Sequence, residues 1–303
     1  MEQENRGRIL LVVNPISGGE KADRIRRLIQ KLSADSMDLT VVETERSGDA
    51  RRAAVSMPPD TSIIVVAGGD GTVNEVVGGM RDRRVAVGII PLGTANLVAR
   101  EFRIPLDIEA ACDLVLKGRR RPIDLGRTED GCFLAVAGAG FDAAVVHRMA
   151  ESRNGNIKSS SYLEPVIEMI ASYPFHRISV EADGALVTEE ATDVIVANTR
   201  SYGGPVILAP DAKPDDGLFD VCIFNSPNIG AYAAYMAAAV MQSHDLLPST
   251  TVLRARTVRC SSSADVPVQL DGDPHGRLPV TFQIEAGAVQ LIVPSFCQST
   301  LCP

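Results

Sequence analysis

The chain has 303 residues, 45% of them hydrophobic and 22% charged, enough for one large or two ordinary domains with a real core and too apolar for a disordered chain. A formal net charge of −8 excludes a general nucleic-acid binder. Six cysteines, none in a C-x-x-C pair, exclude a disulfide framework or zinc motif and fit reduced thiols.

The first 125 residues alternate between two periods. Arg8–Val13 is an apolar run of buried-strand length, followed by helical spacing over Glu20–Leu32. Leu39–Val42 is a strand and Asp49–Ser56 a short helix. Ser62–Ala67 is a third strand, Thr72–Val77 a helix, and Ala86–Ile90 a fourth strand after the Gly78-Gly79 stop. Asn96–Glu101 and Glu109–Leu116 are helical, and Pro122–Leu125 is strand-like. Strand–helix alternation of this kind predicts an α/β domain: a parallel sheet with helices on both faces. Arg119-Arg120-Arg121 reads as the solvated end of a helix, where cations suit the dipole. A triplet falls short of the four or more basic residues typical of contact with anionic lipid.

From Gly126 the pattern changes to short alternating runs: 133–137, 177–182, 193–197, 218–224, 251–260, 267–270, 280–285 and 289–293. Turn signals such as Asp183-Gly184 and Asp271-Gly272-Asp273-Pro274 separate them. Helical stretches interrupt near 141–151 and 159–172, and the Ala-rich run Ile229–Met241 is too short to span a bilayer and reads as a packed helix. This predicts a second domain of mainly antiparallel β over residues 126–294, after the α/β domain over residues 1–125. The polar N-terminus carries no secretory pattern, so a cytoplasmic protein is expected, one that visits the membrane surface if its substrate is a lipid.

Three turns concentrate the chemistry. Gly68-Gly69-Asp70-Gly71-Thr72 joins a strand to a helix; its glycines let backbone N–H groups approach a polyanion, and Asp70 puts a carboxylate where Mg²⁺ meets phosphate. Asn14-Pro15-Ile16-Ser17-Gly18-Gly19 and Pro91-Leu92-Gly93-Thr94-Ala95-Asn96 are similar strand–helix turns. In a parallel sheet all three gather at the carboxyl ends of the strands. Neither G-x-G-x-x-G nor G-x-x-x-x-G-K-[ST] is present, which removes the main support for Rossmann dinucleotide and P-loop readings. Pro214-Asp215-Asp216-Gly217 is either a solvated turn or a site for an oxygen-ligated cation. Asp271-Gly272-Asp273 is either a hairpin turn or a tight loop presenting a base. The four histidines show no ligand spacing.

Taken together, these residues resemble the diacylglycerol kinase catalytic-domain superfamily, which includes bacterial lipid kinases and sphingosine kinases. The matching motifs run in the family's order from Asn14 to Pro274. They are Asn14-Pro15 with Ser17-Gly18, Gly68–Thr72 with Asn74-Glu75, Pro91–Asn96, Gly138-x-Gly140-Phe141-Asp142-Ala143, Tyr202-Gly203-Gly204, Pro210-x-Ala212 through Asp216-Gly217, and Asp271–Pro274.

The resemblance implies an ATP- and Mg²⁺-dependent lipid kinase with its active site between two domains. By it, ATP contacts Asn14, Pro15, Ser17, Gly18, Thr44, Gly68, Gly69, Asp70, Gly71, Thr72, Asn74, Glu75, Gly93, Thr94 and Asn96. Asp70 works through the Mg²⁺ network. A structural Mg²⁺ is held by Asp216 and the backbone oxygens of Lys213 and Leu218. Asp273 takes the proton of the lipid hydroxyl, and residues 295–303 rejoin the first domain. Two positions depart from the pattern: Leu97 stands where many members have Asp, and Asp273 where many have Glu. A soluble-substrate kinase of the NAD kinase type and a non-catalytic nucleotide- or lipid-binding protein are the alternatives. The identity of the lipid and the oligomeric state, a homodimer included, are left open by the sequence.

Overall fold

The computed structural model describes residues 8–15, 29–30, 32–33, 38–154, 172–203, 206–225, 228–241 and 250–295. Ser17, Gly18, most of the expected 20–32 and 159–172 helices, Gly204, and Cys297 and Cys302 lie outside them. The chain divides into two compact units, one of residues up to Ile123 with the stretch from Gly287, the other Asp124–Ala286.

The first unit is built on β1 (Arg8–Val13), β2 (Leu39–Glu43), β3 (Thr61–Gly68) and β4 (Ala86–Pro91), parallel and ordered β2-β1-β3-β4. Leu11 pairs with Val41 on one side and Val65 on the other, and Val65 pairs with Gly88. The end of the last strand, β18 (Val280–Val293), adds a parallel neighbour to β4 through Gln290 and Leu291.

Strand alternation sorts the core. Ile9, Leu11, Val13, Ile63, Val65 and Ala67 cluster with Leu32 and with Ala111, Cys112 and Val115 of α4 (Ile108–Lys117). The residues between them, Leu10, Val12, Ile64 and Val66, are equally buried on the opposite face. There α1 (Asp49–Val55) and α2 (Asp70–Gly79) pack on each other. Their approach requires a glycine: a Cβ on Gly79 would stand 2.5 Å from the Arg51 carbonyl oxygen. The short α3 (Leu97–Glu101) precedes α4, whose Asp107 caps it by accepting the Ala110 N–H at 2.9 Å.

Arg119–Arg121 do not end a helix. They open β5 (Arg119–Arg127), because α4 stops at Lys117 and Gly118 passes the chain directly into strand.

In the second unit, β6 (Cys132–Phe133), β7 (Val136–Gly140), α5 (Phe141–Asn154), β8 (Ile178–Ala182), β9 (Ala185–Ala191) and β10 (Asp193–Ala197) come first. Then follow β11 (Ser201–Gly203), β12 (Val206–Ile207), β13 (Phe219–Phe224), α6 (Ile229–Val240), β14 (Thr250–Ala255), β15 (Thr257–Ser261), β16 (Pro267–Leu270) and β17 (Asp273–Arg277). One antiparallel sheet runs β14-β13-β10-β7-β16-β17, and β9-β8-β15-β18 form the other ladder. Val194, Val196, Phe219 and Val221 from the first share one core with Val180, Val258, Cys260 and Phe282 from the second. Phe133 lies in the middle, 5.5 Å from the Phe219 ring and 6.0 Å from Phe282.

The expected strand 251–260 is two strands in different sheets. Asp183 Oδ1 accepts the N–H groups of both Arg256 and Thr257, each at 2.9 Å, and breaks the run. The expected strands 280–285 and 289–293 are one, continued through Gly287 at φ 60°. The polar strands β9 and β17 carry too little apolar alternation to be read from sequence. Among the described residues no helix is long and apolar enough to cross a membrane.

Candidate active site

The Gly68–Thr72 and Pro91–Asn96 turns lie at the carboxyl ends of β3 and β4, and Asn14-Pro15 follow β1; residues 16–19 lie outside the described residues. The β3 turn enters α2 at Asp70, two residues earlier than the apolar spacing indicates. Its N-cap, Gly69, has no side chain to cap this ten-residue helix, whose N-terminal end suits an anion.

The β3 and β4 turns touch through glycines. A Cβ on Gly93 would stand 2.6 Å from the Gly69 Cα and 2.8 Å from Asn96 Oδ1. A Cβ on Gly68 would stand 2.7 Å from Thr72 Oγ1. Side chains lock this arrangement. Asn96, in the left-handed region at φ 49°, accepts the Gly93 N–H at 3.0 Å and donates to the Gly93 carbonyl at 2.8 Å. Leu92 N–H donates to the Gly68 carbonyl at 2.9 Å. Asn14, at the end of β1, donates from Nδ2 to Thr72 Oγ1 at 3.1 Å. Asn14, Gly68, Gly69, Thr72, Gly93 and Asn96 are thus one cluster.

Asp70 sits half-buried between the turns and accepts the Val98 N–H at 3.3 Å. Burial pushes its pKa above the ordinary carboxylate value, and the backbone N–H groups of Leu97, Val98, Asp70 and Asn96 pull it back.

Glu75 links two turns. Its Oε1 accepts the Gly48 N–H at 2.8 Å and the Ser47 hydroxyl at 3.1 Å. It therefore ties the 44–48 turn, where Gly48 adopts φ 86°, to the helix that starts at Asp70. Thr44 is buried, its N–H donating to the Val13 carbonyl at 2.8 Å. Asn74 is partly buried, Thr94 is exposed, and Pro15 follows Asn14 at the end of β1. Gly71 lies in the first turn of α2.

The carboxylates of the second unit separate into two kinds. Asp271, at φ 48°, is buried and accepts the N–H groups of Leu134, Ala135 and Val136 at 2.7, 2.9 and 2.7 Å. That binding ties the hairpin to β7 and leaves Asp271 no role as a base. Asp273 is exposed, the first residue of β17, paired with Leu270; the turn is confined to Asp271-Gly272, and Asp273-Pro274 belong to the strand.

At the 210–218 loop, Asp216 Oδ1 accepts the Leu218 N–H at 3.2 Å and Oδ2 pairs with Arg254. Lys213 is exposed. The sequence gives no hint that Asp124 organises this loop. Its carboxylate accepts the Gly217 N–H at 2.7 Å, and its N–H donates to the Pro214 carbonyl at 2.6 Å. A buried aspartate inside the apolar run Ile123–Leu125 is the signal that marks it.

Among the described residues no three His, Cys, Asp or Glu side chains are grouped to hold a metal. A cation at Asp216 would use one carboxylate shared with Arg254 and backbone carbonyls, a hard-oxygen set that suits Mg²⁺. Asp220 Oδ2, buried without a hydrogen-bond partner and 3.6 Å from Arg254 Nε, adds an underused carboxylate oxygen to that loop.

Comparison with known proteins places this geometry in a family. Residues 8–128 match the diacylglycerol kinase catalytic domain, and residues 135–293 match the YegS C-terminal NAD kinase beta sandwich-like domain. A diacylglycerol kinase of Staphylococcus saprophyticus is 30% identical over 91% of this chain and 92% of its own. The chain belongs to the diacylglycerol kinase family. It is thereby a member of a family of lipid kinases, and its two-unit fold is the family's. A crystal structure of a diacylglycerol kinase from Bacillus anthracis superimposes with a TM-score of 0.78 at 26% identity, covering 95% of this chain and 98% of that one. Yeast NADH kinase, solved with NADH, shares the fold at a TM-score of 0.51 and 12% identity, covering 97% of this chain and 85% of that one.

Proposed function

We propose that this member of the diacylglycerol kinase family transfers the γ-phosphate of ATP to the hydroxyl of diacylglycerol or a related lipid, at a membrane surface. The observation that carries the reading is the paired-glycine contact of Gly69 with Gly93 beneath the uncapped start of α2. Phosphoryl transfer passes through a loose transition state, so the protein's contribution is to position phosphates and meet their charge. Here α2 and the adjoining turns supply backbone N–H groups for the phosphates, while Asn14, Asn96 and Glu75 keep the turns rigid. Ser17, Gly18 and Thr94 complete the donor set in this reading.

Asp70 orients the phosphates' counter-cation. Mg²⁺, when bound, neutralises phosphate charge, and Asp216 with the carbonyls of Lys213 and Leu218 would hold a second, structural ion. Asp273, exposed at the start of β17, accepts the proton of the lipid hydroxyl. Leu97, buried at the start of α3, supplies no carboxylate, so Asp70 carries the acidic role of the first unit alone.

The test is transfer of labelled phosphate from ATP to a panel of lipid alcohols in mixed micelles, with and without Mg²⁺, beside a parallel assay with NAD. Mg²⁺-dependent labelling of a lipid is expected. Labelling of NAD alone would move the chain to the soluble-substrate kinases. Asp273→Asn is expected to lower kcat by about 10³-fold with the KM for ATP retained; an unchanged rate would assign the base elsewhere.

A further inference from the structure

The strand β16 is buried along its whole length, yet it carries a glutamine, Gln269, that is 1% exposed. Strand alternation sends Val268 and Leu270 into the core between the two sheets and Gln269 to the opposite side, toward α5. A buried amide is costly unless it is hydrogen-bonded. Gln269 is bonded at both ends, and the two contacts fix its orientation. The Gly272 N–H can only donate, so Oε1 faces it at 2.8 Å, and Nε2 is left to donate to Asp142 Oδ2 at 2.9 Å.

The inner end of this chain of bonds is anchored. Asp142 is buried in the first turn of α5, and its own N–H donates to Asp193 Oδ1 at 3.1 Å. Further along the helix, His147 Nε2 donates to the Val268 carbonyl at 2.8 Å, which ties α5 to β16 next to Gln269. Gly138 of β7, paired with Gln269 across the ladder, makes the room. A Cβ there would overlap Asp142 Oδ2 and stand 3.0 Å from Gln269 Nε2. The outer end is the hairpin turn. Asp271 is held by the β7 amides, and its own N–H donates to the Val136 carbonyl at 2.8 Å. Gly272, at φ 81°, gives its N–H to Gln269. That N–H belongs to the rigid peptide plane joining Asp271 to Gly272, so a shift of Gln269 turns the plane and moves Asp273, the next residue, with it.

We infer that Gln269, oriented by Asp142, is a positioning residue for phosphoryl transfer: through the Gly272 N–H it fixes where the Asp273 carboxylate stands. This deepens the lipid-kinase reading and rests on Asp273 as its base. Gln269 and Asp142 are both buried and act through the turn, not on the substrate. A base must stand within hydrogen-bond reach of the proton it takes, and an aspartate has one methylene less than a glutamate with which to search for it. A fixed turn supplies the placement that the short side chain cannot.

The experiment is transfer of labelled phosphate from ATP to diacylglycerol in mixed micelles, for wild type, Gln269→Met, Asp273→Asn and the double variant. Methionine fills the space of glutamine and makes neither hydrogen bond. Gln269→Met should lower kcat about 10²-fold, the cost of a misplacement of about 1 Å, with the KM for ATP retained. In the Asp273→Asn background the same substitution should change kcat by less than about twofold, because a residue that acts through another has nothing left to act on. Additive losses, or Gln269→Met at the wild-type rate, would overturn the inference. A swap separates placement from loss of fold. Gln269→Glu alone opposes two carboxyl groups. Combined with Asp142→Asn, it lets the new amide donate to the new carboxylate, which still accepts the Gly272 N–H. The swap should recover kcat to within about threefold of wild type; a swap as slow as Gln269→Glu alone would also overturn the inference. If Asp273→Asn runs at the wild-type rate, or wild type labels no lipid, the underlying reading fails first, and Gln269 has no base to place.

Discussion

The two units use polar side chains in opposite ways. In the first, the groups offered to a ligand are backbone amides, and side chains such as Asn96, Asn14 and Glu75 are spent holding turns in place. In the second, carboxylates are set along hairpins, and neighbouring ones differ in kind: Asp271 is consumed by three amides, whereas Asp273 two residues on is exposed. A phosphate site built from amides tolerates little change in backbone and much in side chain. A site built from carboxylates behaves the other way round.

The sharpest way to break this comparison is Asp70→Ala, which removes the carboxylate that opens α2 beside the glycine turns. Loss of about 10³-fold in kcat is expected with the melting temperature within a few degrees of wild type. Full activity in that variant would leave the amide turns without their acidic partner in catalysis. Gly93→Ala is next. Its new Cβ cannot coexist with the Gly69 Cα at 2.6 Å, so the turns must part. A misplacement of about 1 Å is expected to cost about 10²-fold in kcat/KM. Steady-state kinetics at varied ATP would show it, and an unaltered KM and kcat would mean that the contact is incidental.

The remaining predictions are of stability and fall in the second unit. Asp271→Asn keeps the left-handed backbone accessible but removes the charge that three N–H groups share. A loss of about 2–4 kcal/mol, or roughly 5–10 °C in melting temperature, is expected, where Asp273→Asn should change neither. Equal melting temperatures for the two variants would erase the distinction between the two aspartates.

The smallest effect concerns Asp142, buried at the start of α5 and accepting a hydrogen bond from Gln269 at 2.9 Å. Burial raises its pKa to about 6. Because the folded value lies above the unfolded one, its contribution to stability is complete when the carboxyl is protonated and is lost as pH rises through about 6. Between about pH 5 and about pH 8, the melting temperature of Asp142→Asn should therefore gain on that of the wild type. Parallel curves would show that Asp142 does not titrate in this range.

How much of this was legible in the sequence follows from the range of each interaction. The parallel half could be read because each strand, turn and helix declares itself locally: Ile63–Ala67 is an apolar run, Gly68–Thr72 a glycine-rich stop, and the next helix an apolar stripe. The helix starts two residues before its apolar stripe, because Asp70 and Gly71 carry no apolar signal. The antiparallel half was harder, since pairing between distant segments decides its strands. Thr251–Cys260 reads as one strand until Asp183, far away in sequence, takes the amides of Arg256 and Thr257. Arg119–Arg121 reads as a helix end because nothing local shows that α4 has already stopped.

The sequence by itself determined the fold class and the glycine-rich turns, since strand and helix periodicity and the backbone freedom of glycine are properties of short segments. Tertiary structure alone decided which polar residues are tools and which are fasteners. Asp124 and Asp271 have the same chemistry as residues that would bind a ligand, and only their partners, 93 to 137 positions away, show that they are spent on the fold.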